Sequence, residues 1–430
     1  MLRHLVAELP RWPTTLGQSR ALQERQIRRL VDHAWRSVPF YRRLWEEAGF
    51  RPGDLRSRED LGRIPLTDRR QWQDGGDELL ARGARRGRLV AARSSGSSGV
   101  PITVMRTRAE AWVHGFVHWR MYRALGNRVT DRRVSIGILR GGGRKWYRRL
   151  GLFPMEMLDV RRPVPAIVES LRRARPDILI ACSSVASLVA DELAADGGPA
   201  VRPRLVVTWG DTTTPELEAT IGRVFAAPVV DFYGSHEARM IALQCRATGL
   251  YHLYENQTAV EVLRDGEPAR EGEEGEVVVT ALWSYAMPFI RYRQGDLVTL
   301  GPTPCPCGAP VRTLVSIEGR ILDRIPVPGG GALHPYAVIR PIIERVPWVR
   351  RFQFVQESPR VLRLLLVATG PLSAGDLAAA ASAAGAALEG RMELRAEAVP
   401  EIPPSPTGKF YPYLSLERQE GWRLAGLGGG

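Results

Sequence analysis

The sequence predicts an α/β fold, with a large N-terminal region of parallel and mixed sheets and helices followed by a small α+β segment. Three observations carry this. From about residue 108 to 235, helical periodicity alternates with short apolar runs at 134–139, 177–182, 205–209 and 229–232, the pattern of parallel strands joined by crossover helices. After Gly249 the character becomes β-rich, with strands expected at 259–263 and 275–282 around the acidic turn 271–276. Beyond Asp323 come a hairpin-like pair (351–355 and 361–368), an Ala-rich helix over 374–388 and a last strand near 392–398.

Ahead of these elements, residues 20–48 show helical spacing at Ile27, Leu30, Val31 and Ala34, and a turn-rich approach runs through 61–67. A chain of 430 residues, 44% of them hydrophobic, can bury a large core and should divide into at least two domains. The longest apolar runs, such as 361–368, are strand-length and interrupted by charge, so no membrane span is expected. The N-terminus has no apolar segment long enough for a secretion signal. Four cysteines without an evenly spaced framework point to a reducing cytoplasm.

The formal charge of +14 raises nucleic-acid binding as a second class of function, since a basic surface attracts polyanions without a specific site. The basic residues fall in short helical clusters such as Arg28-Arg29, Arg42-Arg43 and Arg172-Arg173, which mark solvated faces. No zinc-finger spacing, homeodomain signature or aromatic RNA-binding motif accompanies them. Lysine occurs only at Lys145 and Lys409. Lys409 follows a Pro-rich turn, where it is either an ordinary surface cation or a compact ammonium that reaches a crowded phosphate.

Residues Ser94, Ser95, Gly96, Ser97, Ser98 and Gly99 form a hydroxyl- and glycine-rich loop between two alternating stretches, so it reads as a hairpin tip. Its N–H groups and hydroxyls suit a polyphosphate, and its composition equally suits a flexible linker. It lacks the Gly-Lys-Ser/Thr ending of a P-loop. Four segments follow it in order: Tyr233-Gly-Ser-His-Glu237, Tyr292-Arg-Gln-Gly-Asp296, Gly319-Arg320-Ile-Leu-Asp323 and Pro406-Thr-Gly-Lys409. This succession resembles the adenylate-forming superfamily of acyl-CoA ligases, adenylation domains and luciferases. The stretch 26–41 and the turn Cys305-Pro-Cys-Gly308 are similar to its phenylacetate-CoA ligase branch.

The resemblance implies a large domain over 1–321, binding ATP and the acyl substrate, and a small mobile domain over 322–430 that carries the catalytic lysine, Lys409. It implies ATP-dependent activation of a carboxylic acid, aryl or arylacetic, as an acyl-adenylate with release of pyrophosphate. Transfer to a thiol such as coenzyme A follows. Relatives that pass the acyl group to an amine, or AMP to a hydroxyl, keep those alternatives open, and a homodimer is left open too. In this reading Tyr233 stacks on adenine, with Gly234 and Ser235 beside it, and Glu237 holds Mg²⁺ against the phosphates. His236 stands where the family usually has a Thr that touches the α-phosphate, so its titration would make that step pH-sensitive. Asp296 is read as accepting the ribose hydroxyls from a turn after a strand, with Arg320 approaching ribose and phosphates; Asp296 could equally cap that turn. Gly210 and Asp211 occupy the place of the adenine and acyl pocket lining. Leu322 replaces the Asp common at the family's hinge.

The cysteines form a second constellation. Cys305 and Cys307 share one rigid turn, Cys245 and His252 lie upstream around Gly249, and three thiolates with one imidazole are a complete tetrahedral set for structural zinc. Some relatives carry a similar set. The other reading leaves all four cysteines reduced and inert, as is expected for Cys182.

Overall fold

The computed structural model describes residues 15–93, 102–138, 150–211, 213–320, 324–333, 335, 338–339, 341–342, 349–368, 370–402 and 411–424. One compact unit runs to Ile317 and a second begins at Glu318.

The chain enters through α1 (Leu16–Ser37), whose N-terminus is capped by Thr15 accepting from the Gln18 N–H. Its buried stripe, Leu22, Ile27, Leu30, Val31 and Ala34, follows the three-to-four spacing read from the sequence. The sequence shows one periodic span over 20–48, whereas the structure has two helices. Pro39 forces Val38 into an extended conformation and opens α2 (Pro39–Glu47) at its first turn. Both helices, with α3 (Arg69–Asp74), pack on residues more than two hundred positions later. The Tyr41 hydroxyl donates to the Pro288 carbonyl at 3.1 Å and accepts from the Ile290 N–H at 2.8 Å. Trp72 stacks on Phe289 with centroids 3.8 Å apart. Fully burying each such aromatic contributes roughly 1.5–3 kcal/mol.

A hairpin follows, β1 (Val90–Arg93) with β2 (Thr103–Arg106), in antiparallel register Val90↔Arg106 to Arg93↔Thr103. The glycine-serine loop therefore joins two paired strands, as read from its flanks, although residues 94–101 lie outside the described residues. Helix α4 (Arg108–Ala124) starts with a Thr107/Glu110 capping box. Parallel strands β3 (Arg133–Gly137), β4 (Met155–Asp159), β5 (Ile178–Cys182) and β6 (Leu205–Trp209) come next with α5 (Val164–Ala174), α6 (Ser183–Ala195) and α7 (Pro215–Phe225), then β7 (Val229–Ser235). From there the direction alternates through β8 (Arg239–Gln244), β9 (Tyr251–Leu253), β10 (Thr258–Arg264), β11 (Glu267–Pro268), β12 (Glu274–Ala281), β13 (Tyr292–Leu300) and β14 (Thr313–Arg320).

These strands are one sheet, in the order β11-β10-β12-β13-β14-β9-β8-β7-β6-β5-β3-β4. The sequence places the change from parallel to β-rich after Gly249, but it comes earlier, because β8 folds back on β7 and joins the two halves. One apolar core joins α1, α2 and α4 to the antiparallel half, and a second packs β3, β5 and β6 against α5, α6 and α7.

In the second unit, β15 (Ile325–Pro326) pairs with β16 (Ala332–Leu333). A four-stranded sheet of order β19-β18-β17-β20 is built from β17 (Val349–Ser358), β18 (Val361–Ala368), β19 (Glu393–Ala398) and β20 (Tyr413–Leu414). Its core unites Phe354, Leu362, Leu364 and Leu366 with Ala380 and Ala384 of α8 (Ala374–Ala387) and with Leu388, which caps that helix, and α9 (Leu416–Leu424) closes the described chain. The hairpin, the Ala-rich helix and the last strand stand where the sequence places them. No helix among the described residues is long and apolar enough to cross a membrane.

Candidate functional site

The β7–β8 hairpin positions the first group of candidates. Gly234 is required here, because a Cβ would meet the Arg239 carbonyl at 2.0 Å and the Phe232 ring at 2.9 Å. The sequence ends the strand at Phe232. The strand in fact runs on to Ser235, and His236 and Glu237 lie in a tight turn closed by the Ala238 N–H donating to Ser235 Oγ at 3.0 Å. Glu237 is buried. Arg106 braces this turn by donating from Nη2 to the carbonyls of His236 and Glu237, the latter at 3.1 Å.

Asp296 was expected in a turn after a strand, and it lies within β13. The register with β12 pairs Val278 with Arg293 and Glu276 with Leu297, so Gln294, Gly295 and Asp296 bulge opposite the single residue Val277. Gly295 supplies the positive φ of 74°. The bulge aims Asp296 at β7, where the Tyr233 hydroxyl donates to Asp296 Oδ2 at 2.6 Å, and Gln294 Oε1 accepts from Ser235 at 3.1 Å. Two motifs 63 residues apart thus meet side chain to side chain.

Asp211, expected through its backbone at the adenine and acyl pocket lining, turns its side chain to a neighbouring helix. Its carboxylate caps α6, accepting from the Ser183 N–H at 2.7 Å and the Ser184 N–H at 3.2 Å, while Gly210 takes φ 88° beside it. Sequence reasoning missed Asp231 altogether. It is buried in β7, with Oδ1 accepting from Thr208 and Thr213 at 2.8 Å each and Oδ2 from Tyr251 at 3.0 Å. This network ties the 208–213 loop to the strand that carries Tyr233. A carboxylate in an otherwise apolar strand end was the available signal.

Burial raises the Asp231 pKa from 3.8 to about 6, partly offset by its three hydroxyl donors. A raised acid binds more protons folded than unfolded, so its contribution is fully present below pH 4 and is lost as pH rises towards 6. Across that window the Asp231→Asn protein should lack a destabilisation of at most about 3 kcal/mol that the native chain acquires. Thermal melts of both proteins at half-unit pH steps test this; parallel Tm profiles would refute it.

Ser94, Ser95, Gly96, Ser97, Ser98, Gly99 and Lys409, together with Leu322, lie outside the described residues. Arg320 ends β14, and only its backbone is described.

The second constellation comes together. Cys245 leaves β8, His252 sits in β9, and Cys305 and Cys307 occupy the turn before β14. Pairing of β8 with β9, and of β9 with β14, brings these separate turns to one place, and all four ligand atoms lie within 4.8 Å of one another. Cys307 Sγ is 3.5 Å from His252 Nε2. The edges of a zinc tetrahedron with S and N ligands measure about 3.5–3.8 Å, so this donor set fits the ion after small rotations.

A third, unanticipated cluster lies where α4 packs behind the β7–β8 turn. Burial and the neighbouring Arg239 push the Arg106 guanidinium down to about 9. Burial holds His114 well below the ordinary imidazole range and His118 near 4, so both rings are neutral at pH 7. Glu110 spends its carboxylate on the N–H groups of Thr107, Tyr285 and Ala286 at 2.6–2.8 Å.

The chain matches no family model. It is similar to the phenylacetate-coenzyme A ligase of Pseudomonas putida, 29% identical over 326 residues covering 72% of this chain and 73% of the relative. The Thermus thermophilus enzyme of the same name is 29% identical over 324 residues, 72% of each chain. Among solved structures, a 2-hydroxyisobutyryl-CoA ligase in complex with an acyl-AMP aligns with TM-score 0.77 at 19% identity over 95% of this chain and 91% of that one. An o-succinylbenzoate coenzyme A synthetase from Bacillus subtilis, in complex with ATP and magnesium ion, aligns with TM-score 0.50 at 19% identity over 73% and 66%. The chain therefore has the two-domain fold of these ligases and is a relative of the phenylacetate-coenzyme A ligases.

Proposed function

We propose that this chain, as a relative of phenylacetate-coenzyme A ligases on an adenylate-forming fold, is a cytoplasmic AMP-forming acid–thiol ligase. A substrate carboxylate attacks the α-phosphorus of ATP and pyrophosphate leaves. The thiol of coenzyme A then attacks the acyl carbon and AMP leaves. The observation that carries this reading is the 2.6 Å hydrogen bond from Tyr233 to Asp296, which unites the residues assigned to adenine and ribose. Asp296, steadied by that bond, takes the ribose hydroxyls, and Tyr233 offers its ring to the base.

Glu237, one strand-turn further, would hold Mg²⁺ against the phosphates, where the ion supplies charge neutralisation. Arg106 fixes the Glu237 backbone and so the carboxylate's position. The loop 94–99 and Lys409 complete the phosphate contacts, so that positioning and electrostatics dominate the first step. The Cys245, His252, Cys305 and Cys307 cluster holds a structural zinc that pins β8, β9 and the turn before β14.

Pyrophosphate release measured across a panel of carboxylic acids, with and without coenzyme A, tests the reading. With an active acid labelled by oxygen-18 in its carboxylate, label should appear in AMP. An ATP-consuming reaction that leaves AMP unlabelled overturns the adenylate mechanism.

A further inference from the structure

Arg239 opens β8 at φ 70°, an uncommon conformation for a residue with a Cβ, two positions after Glu237. Its Nε is buried without a hydrogen-bond partner, and no carboxylate among the described residues is ion-paired with it. The Arg106 Nε and His114 Nε2 atoms beside it are likewise buried without partners. A guanidinium taken out of water without a counter-charge is costly, and such groups persist where a ligand completes them. Part of the Arg239 surface nonetheless stays open, as does that of His118, whose ring lies 5.4 Å from Phe232 and whose Nδ1 is engaged by the His114 carbonyl. Of the two carboxylates in the cluster, Glu110 is spent on backbone N–H groups and Glu237 is assigned to the metal of MgATP. The cluster behind Glu237 is therefore left with positive charge that no described carboxylate balances.

We propose that Arg239 is the counter-ion of a second negative group on the acyl substrate, so that the acid this chain activates is a dicarboxylate. The proposal rests on the ligase reading above and narrows its substrate class. His118 belongs to the same cluster, close to Arg239 and packed against the Phe232 ring. The anion could instead be a phosphate of ATP, and the test separates the two sources.

Native protein is assayed for coenzyme A-dependent pyrophosphate release with matched acids, phenylacetate against phenylsuccinate and benzoate against terephthalate. Arg239→Gln and the charge-retaining Arg239→Lys are assayed beside it. The diacid should be preferred in each pair. Arg239→Gln should lower the diacid-to-monoacid ratio of kcat/KM by roughly 100-fold, with partial recovery in Arg239→Lys. A raised KM for ATP with an unchanged acid ratio would assign Arg239 to phosphate and overturn the proposal. Preference of the native protein for the monoacids overturns it while leaving the ligase reading intact, whether or not the variants fold. Absence of pyrophosphate release with every acid would remove the ligase reading itself and the proposal with it.

Discussion

Replacing Lys409 by Ala should slow acyl-adenylate formation by two to three orders of magnitude and leave thiolation of a supplied acyl-adenylate nearly intact. Charge builds on the α-phosphate as the acid attacks, and a contact present only in that transition state lowers its barrier without tightening ground-state binding. In a chain that otherwise uses Arg for almost every cation, a compact ammonium at this position would fit a crowded phosphate that a planar fork would not. Lys409→Arg should therefore rescue poorly. Single-turnover measurements of each half-reaction decide the matter. Equal slowing of both steps, or of neither, would return the segment to an ordinary surface turn.

Cys305→Ser should remove about one equivalent of zinc and lower the apparent Tm by roughly 10 °C, because metal-binding free energy at such a site is folding free energy. Cys182→Ser is the control. Cys182 ends β5, away from the cluster, and its replacement should leave the metal content unchanged. Metal analysis of both purified proteins, with melts in and out of a chelator, gives the answer. A native protein that is fully folded and metal-free would refute the zinc site.

The parallel half of the sheet was legible because β5 and β6 are continuous apolar runs bounded by turn residues and buried on both faces. The break between α1 and α2 was passed over, although Pro39 marks it, because the apolar spacing carries on across it. Asp296 was misplaced because Gln-Gly-Asp reads as a turn, and its glycine does take a turn-like φ. Only pairing with β12 turns that local bend into a bulge within a strand. Asp231, and the helix-capping contact of the Asp211 carboxylate, went unread because their partners lie 18–28 residues away, beyond any periodicity. The cysteine turns could each be seen in the sequence, whereas their meeting depends on β9, a strand of three residues bounded by no strong signal.

The long reach from Tyr41 to Pro288 and Ile290 bears on how the protein is made. A ribosome delivers α1 and α2 first, with Tyr41 ready for burial, but the backbone groups its hydroxyl binds arrive some 247 residues afterwards. At about 5–20 residues per second that is a wait of roughly 10–50 s. Throughout it the nascent helices have only the local part of their aromatic packing, such as Trp45 on Trp35 and Phe50, and lack the distant strands that complete it, which is the condition under which holdase chaperones engage a chain.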